Sequence, residues 1–329
     1  MSAKENTSLR PKFSAAELYL KYGMFFILLA LVIFSSIVSP SFLSVRNITN
    51  IIQSMSIVAL AAFGETMVLI LGKIDLSVGS VMALCGCVTC MVVSQTQSVI
   101  LGVIVGLLIG AVCGLVNGFV ISHFEIPAFI ITLATMQIAR GAVLLLTNAV
   151  PVSGMGTGFR FLGQGKIFGF IPMPVLIMLL CFLICWILLN RTRFGRHIYA
   201  CGGNESAAIA SGIHAHGVVT ATYILMGIFT GMSGIVLMSY INSGQPAGAT
   251  NYEMDAITAA IVGGTSFTGG LGTVQGTLVG CLIVGVLDNI MNLKGVSSYW
   301  QQIVRGLIIA LAVILDIKSK SLVLRKKSK

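Results

Sequence analysis

Charge is what this chain lacks most. Of its 329 residues only 9% are Asp, Glu, Lys or Arg, against about 25% in an ordinary soluble domain, which excludes a surface that faces water on every side. Acidic residues are the scarcer kind, ten against twenty Lys and Arg, for a formal net charge of +10. Aromatic residues are 8% of the chain, and no basic patch interleaved with them suggests nucleic acid. The four histidines, His123, His197, His214 and His216, make no metal set with a suitably spaced carboxylate. No G-x-x-x-x-G-K-S/T stretch occurs, and GQGKIFG from Gly163 lacks both the spacing and the hydroxyl, so a Walker-type ATP site is absent. Nor is there the alternating pattern of membrane barrel strands. No catalytic residue, metal site or cofactor is expected of this chain itself.

What is present is apolar. Hydrophobic residues make up 56%, gathered in runs of about 17 to 25 residues, the length at which a helix crosses a bilayer. Backbone groups in lipid must be satisfied internally, so the reading is an all-α integral membrane protein. Hydropathy and loop breaks give about ten transmembrane helices, near 22–39, 49–71, 77–94, 98–122, 127–147, 172–190, 217–241, 253–268, 272–293 and 299–316. The eighth is short and rich in glycine. The first run, from Tyr22 to Val38, is too long for a signal h-region and has no A-x-A site, and is read as a retained span.

The charges give an orientation. Lys4, Arg10, Lys12 and Lys21 precede the first span, and Lys318, Lys320, Arg325, Lys326, Lys327 and Lys329 follow the last. Both termini are therefore expected in the cytoplasm, which requires an even number of spans. That divides the chain into a cytoplasmic tail (1–21), one membrane domain (22–316) and a basic cytoplasmic tail (317–329). External loops then hold only Arg46, Arg160, Lys166 and Lys294. The long external stretch from Asn148 to Ile171 has room for a surface or re-entrant helix. Of the eight cysteines, seven fall inside expected spans and Cys201 in a cytoplasmic loop, and all are read as small buried hydrophobes rather than disulfide partners.

An internal repeat joins distant segments. QIARG at Gln137–Gly141 recurs as QIVRG at Gln302–Gly306, GLLIGAVCGLVNG from Gly106 resembles GTLVGCLIVGVLDN from Gly276, and KID at Lys73 resembles EMD at Glu253. Spans two to five (about 49–147) then correspond to spans seven to ten (about 217–316) and run in opposite directions. This is an inverted repeat, the architecture of alternating access.

Ionisable residues inside the spans mark the interior, since each costs about 2.5–3.5 kcal/mol at the bilayer centre. Glu65, Arg140, Asp288 and Arg305 lie at membrane depth, with Lys73, Asp75, Glu253 and Asp255 at span ends. Arg140 and Arg305 hold equivalent repeat positions, either along a pathway or as braces paired with carboxylates such as Glu65 or Asp288. Gly79, Gly263, Gly264, Gly269, Gly270 and Gly272 either let helices pack closely or expose backbone groups at broken helix ends.

Between the repeats lies a polar island, NRTRFGRHIYACGGNESAAIASGIHAHG, from Asn190 to Gly217, containing the loop 191–216. Three arginines, Arg191, Arg193 and Arg196, follow the sixth span, and an exposed two-turn helix follows them, started by Asn204 and ended by Gly212. An ordered cytoplasmic loop in a membrane protein points to a partner subunit. Lacking a Walker motif, the chain would need that partner to supply any ATPase.

Long motifs in a fixed order resemble the membrane permease subunits of ribose-type ABC sugar importers, the family of ribose, xylose, arabinose and galactose permeases. They are IDLSVGS (Ile74–Ser80), NGFVI (Asn117–Ile121), PAFIITLATMQIARG (Pro127–Gly141), PVSG (Pro151–Gly154), FGRHIYACGGNESAAIASGI (Phe194–Ile213), SGQPAG (Ser243–Gly248), MDAITAAIVGGTSFTGGLGT (Met254–Thr273) and NLKGVSSYWQQIVRG (Asn292–Gly306). The resemblance implies a multi-pass protein of the bacterial cytoplasmic membrane that moves a monosaccharide inward. It further implies a second permease subunit, identical or related, an extracytoplasmic sugar-binding protein, and a cytoplasmic ATPase carrying ATP and Mg. In such permeases a short E-A-A-like helix ending in glycine docks on the ATPase. Here that assigns Glu205, Ala207, Ala208 and Gly212, with Arg191, Arg193 and Arg196 flanking. The chain departs from the family pattern at Lys73, at Asn148 and Ala149, and at Asp288-Asn289-Ile290. Other expectations left open are a proton-coupled transporter using Glu65 and Asp288, and nucleoside or furanose-signal cargo. An integral membrane transferase finds no paired acidic or histidine cluster to support it.

Overall fold

The computed structural model describes residues 15–327, with side chains from Gly23 to Lys318 apart from Leu315. Lys4, Arg10, Lys12 and Lys329 lie outside the described residues, as do the side chains of Lys21, Lys320, Arg325, Lys326 and Lys327. The helices, in order, are α1 (Ala15–Val38), α2 (Val45–Ile70), α3 (Val78–Thr96), α4 (Val99–His123), α5 (Ala128–Thr147), α6 (Gly156–Gln164), α7 (Met173–Arg191), α8 (Arg193–Gly203), α9 (Glu205–Ala210), α10 (Ala215–Ile241), α11 (Tyr252–Val262), α12 (Val274–Leu293) and α13 (Ser298–Lys327). Between α6 and α7 a two-residue hairpin pairs β1 (Lys166–Ile167) with β2 (Ile171–Pro172). The long stretch between α5 and α7, expected to be external, thus holds a short helix and a hairpin.

Side chains define many of the helix starts. Ser44, Ser98, Thr192, Asn204 and Thr273 each accept a hydrogen bond from a backbone N–H three residues on, capping α2, α4, α8, α9 and α12. Among the described residues, eight helices are long and apolar enough to cross a membrane: α2, α3, α4, α5, α7, α10, α12 and α13. The apolar part of α1, Gly23–Val38, is shorter. The expected eighth span, 253–268, is helical for only part of its length, although the chain runs from Asp255 beside Arg305 to Gly270 at the far end of α2. Its helix α11 has 11 residues, about 16 Å at the α-helical rise, roughly half of a hydrocarbon core. It ends because Gly263 closes the last turn and Gly264, Gly269 and Gly270, all at positive φ, reverse the chain.

The core is built around α2 and α10. Phe63 and Met67 of α2 and Tyr223 and Met226 of α10 are fully buried in one apolar cluster, whereas α5 and α13 lie largely on the outside. Glycines decide how closely the helices approach. α4 places one at every fourth position, Gly102, Gly106, Gly110, Gly114 and Gly118. The first two meet α3 at Thr89 and Cys85, and the other three meet α10 at Gly227, Tyr223 and Thr220. A Cβ on Gly114 would overlap the Tyr223 carbonyl, so only glycine permits this backbone-to-backbone seam. Gly263 and Gly276 meet in the same way at the α11–α12 crossing. Of the glycine cluster noted in the sequence, Gly263 packs closely, while Gly264, Gly269 and Gly270 form the turn beyond the end of α11.

The packing diagram has an internal symmetry. Exchanging α2 with α10, α3 with α11, α4 with α12 and α5 with α13 carries the principal contacts onto one another. α10 packs on α3 and α4 as α2 packs on α11 and α12, and α3 meets α4 and α5 as α11 meets α12 and α13. These are the pairs that the sequence repeat matches. The eight cysteines are free, and all but the half-buried Cys113 are buried, Cys201 included.

Candidate functional site

Three polar residues sit on α12 within an otherwise apolar stretch: Asp288, Asn289 and Asn292. Their spacing puts Asp288 and Asn292 on one face, one turn apart. Asn50 and Ser54 repeat this spacing on α2, Tyr252 and Asp255 project from the first turn of α11, Tyr240 and Thr250 flank the α10–α11 connection, and Arg305 comes from α13. They line one cavity of about 430 Å³, completed by Met55, Val58, Cys281, Val284 and Gly285. That volume falls in the range of small-molecule sites, about 300–1,000 Å³.

Arg305 organises its charged wall. Its Nη2 and Nε donate to the two Asp288 oxygens at 2.7 and 3.2 Å, a bidentate fork. Its Nη1 stands 3.0 Å from Asp255 Oδ1, close enough for an ion pair but out of hydrogen-bond alignment, so this buried oxygen has no hydrogen-bond partner among the described residues. Asn47 of α2 and Asn289 exchange amide hydrogen bonds at 2.9 and 2.8 Å, and Gln301 donates to Asn292 at 2.8 Å. These bonds fix the rim.

The other half of the repeat is built differently. Arg140 donates through Nη1 to the carbonyls of Pro246 and Gly248, at 2.6 and 2.9 Å, and not to a carboxylate. Arg305 pairs with Asp288, whereas among the described residues Arg140 pairs with no carboxylate, Glu65 included. Glu65 lies about one turn from the C-terminal end of α2, while Arg140 stands about three turns from the matching end of α5. The repeat alignment supplies a second reason, because the position matching Asp288 is Gly118. Asp75, which matches Asp255, is held instead by the Ser77 N–H and hydroxyl at 2.8 and 2.5 Å. Beyond Ser77 the chain of bonds continues through Asn117 to Thr135. Glu65 accepts from the Asp75 N–H at 3.2 Å through Oε1. Its Oε2 is buried and has no hydrogen bond among the described residues. The six candidate intramembrane residues are therefore split between two sites: Asp255, Asp288 and Arg305 meet at the cavity, Glu65 and Asp75 meet at a closed polar network, and Arg140 stands apart.

At the opposite end of the bundle the polar island holds two helices where the sequence suggested one. Thr192 caps α8, and Gly195, Ile198 and Cys201 bury one of its faces. The sequence reading took this stretch as an arginine flank. Arg191, Arg193 and Arg196 are exposed, with Arg191 over the Trp186 ring at 5.5 Å. Asn204 caps α9 through a bond from the Ala207 N–H at 2.9 Å. After Ser211, Gly212 takes φ +83° and the Ile213 N–H returns to the Ala208 carbonyl, closing the helix as a left-handed cap does. Ala207 is exposed and Ala208 is buried, so a bulky residue at 208 would strike the core before it reached any partner. Glu205 is half exposed and pairs with Lys73 at 3.6 Å. Beside them a groove of about 550 Å³ runs from Gly72 and Lys73 past Glu125 to Ser206 and Ile209.

Asn50, Ser54, Tyr240, Tyr252, Asn289 and Asn292 are wall residues that sequence reasoning did not select. The signal was available in α12 and α2, where polar side chains recur at helical spacing inside apolar runs.

The comparisons with known proteins cover nearly the whole chain. Residues 47–313 match the family described as branched-chain amino acid transport system / permease component. The chain belongs to this family of permease components. It is 45% identical over 303 residues to the ribose import permease protein of Bacillus subtilis, covering 92% of this chain and 94% of that one. It is 39% identical over 307 residues to the L-arabinose transport system permease protein of Escherichia coli, 93% of each. To the D-allose transport system permease protein of the same organism it is 37% identical over 315 residues, 95% of this chain and 96% of that one. No solved structure matches. As a permease component this all-α, multi-pass membrane protein is a transport subunit.

Proposed function

We propose that this permease component admits a monosaccharide to the cytoplasm, as one of two permease subunits powered by a separate ABC ATPase. The observation that carries the reading is the cavity walled by Asn50, Ser54, Asp255, Asp288, Asn292 and Arg305, a set of hydrogen-bonding groups suited to a polyhydroxylated solute, in a chain similar over its length to ribose, arabinose and allose permeases. With both termini cytoplasmic, the cavity lies toward the outer face, where an extracytoplasmic binding protein would release sugar. The α8–α9 island then lies inside. ATP and Mg belong to the partner ATPase, and Glu205, Ala207 and Gly212 form the helix against which it would work, with Arg191, Arg193 and Arg196 beside it.

The test is reconstitution in lipid vesicles with the ABC ATPase and sugar-binding protein of the same organism's ribose-type importer. ATP-dependent uptake of labelled ribose, arabinose or allose that needs all three components is expected. Uptake by this chain alone under a proton gradient would replace the reading with a proton-coupled one. Competition by leucine or a nucleoside in place of sugars would reassign the cargo.

A further inference from the structure

The cavity at the α2–α12 contact has a charge arrangement that bears on which sugars enter it, an inference that rests on the monosaccharide reading. One guanidinium faces two carboxylates there. All three Arg305 nitrogens lie within ion-pair reach of carboxyl oxygens, Nε and Nη2 bonded to Asp288 and Nη1 at 3.0 Å from Asp255, and among the described residues no lysine or second arginine lines the cavity. An anionic solute would find no free cation and one carboxylate in excess. A neutral hydroxyl finds the reverse. Asp255, 6% exposed, keeps its Oδ1 in an ion pair with Arg305 but without an aligned hydrogen bond, so its capacity to accept one is unused. Asn50 and Ser54 stand across the cavity with further donors and acceptors.

We propose that this cavity is a binding site for neutral sugars in which Asp255 accepts a sugar hydroxyl and, with Asp288 holding Arg305, excludes sugar acids and sugar phosphates. Asp255 is then the specificity-determining residue against anions.

Saturation-transfer NMR on the permease–ATPase complex in nanodiscs, without binding protein, tests this with ribose, galactose and galacturonate. The last two share a ring configuration and differ by a carboxylate in place of a hydroxymethyl group. Wild type is expected to show transfer to the neutral sugars and none to galacturonate. Asp255→Asn should raise galacturonate binding at least about tenfold, as removal of a nearby like charge at low dielectric would. Asn50→Leu, on an exposed position of α2 that leaves the charges in place, should weaken the neutral sugars without admitting galacturonate. Equal transfer to galactose and galacturonate in wild type overturns the exclusion, as does an Asp255→Asn variant that is folded and unchanged in selectivity. Absence of transfer to every sugar overturns the site, while ATP-driven uptake in the reconstituted system would still stand and keep the monosaccharide reading separate.

Discussion

The α4–α10 and α2–α12 contacts occupy equivalent places under the internal exchange, yet one is shut and the other open. Along α4–α10, Gly110, Gly114 and Gly118 bring backbone against backbone, leaving no room for a solute. Along α2–α12 the helices are held by side chains at two levels, Thr66 with Thr277 at 2.6 Å and Asn47 with Asn289. Between those levels lies the cavity. A repeat thus supplies two copies of one seam, and the residue types at the contact decide which copy becomes a site. The charges follow the same division: the open half carries the paired Arg305, and the closed half buries Asp75 among hydroxyls and an amide.

The largest effects should come from breaking each half where it differs from the other. Asp288→Ala removes both Arg305 hydrogen bonds and leaves this half-buried guanidinium with Asp255 alone, at an expected cost of about 3 kcal/mol, read as thermal unfolding of the purified protein in detergent. Arg140→Met, which unpairs only two carbonyls, should cost about 1–3 kcal/mol. An equal loss at the two arginine sites would erase the contrast. Gly114→Ala drives a Cβ into the Tyr223 carbonyl and should cost about 3 kcal/mol, whereas Gly285→Ala on the open seam meets Met55 Cβ at 3.1 Å and should cost about 1 kcal/mol or less.

Glu205→Lys should change stability by no more than about 1 kcal/mol, as an exposed ion pair does, while abolishing sugar-stimulated ATPase activity of the assembled transporter. Adding Lys73→Glu to restore the pair in reverse separates two causes. Recovery would assign the effect to the Lys73 contact, and continued loss to the ATPase face. The smallest effect is expected at Ala149, which holds φ +57°. Ala149→Gly should stabilise by about 1 kcal/mol, measured by the same unfolding assay.

Much of this was legible in the sequence. The apolar run lengths located the full spans, and the three repeat matches chose the helices that exchange in the packing. Asn204 and Gly212 gave the ends of α9. What could not be read depended on partners distant in sequence. QIARG and QIVRG look alike, but Arg305 finds Asp288 where Arg140 finds the carbonyls of Pro246 and Gly248, so similar motifs acquire different neighbours. The length of α11 escaped hydropathy because glycines at positive φ end a helix without changing its apolar character. α8 escaped because its buried face, Gly195, Ile198 and Cys201, is narrow and stands among arginines.

One junction near α8 has a mechanical meaning. The Ile70 carbonyl at the end of α2 accepts the Gly270 N–H at 2.8 Å, and a Cβ on Gly202 at the end of α8 would fall on that same carbonyl. Gly269 packs against Gly72 and Gly202, and the Tyr199 hydroxyl donates to the Gly272 carbonyl at 2.7 Å. Three chain segments therefore touch backbone to backbone, with no long side chain between them to bend or rotate. A gear with no backlash transmits small strokes in full. A displacement of α8 would reach the end of α2 and the turn before α12 together, and those are the two helices whose upper parts enclose the cavity.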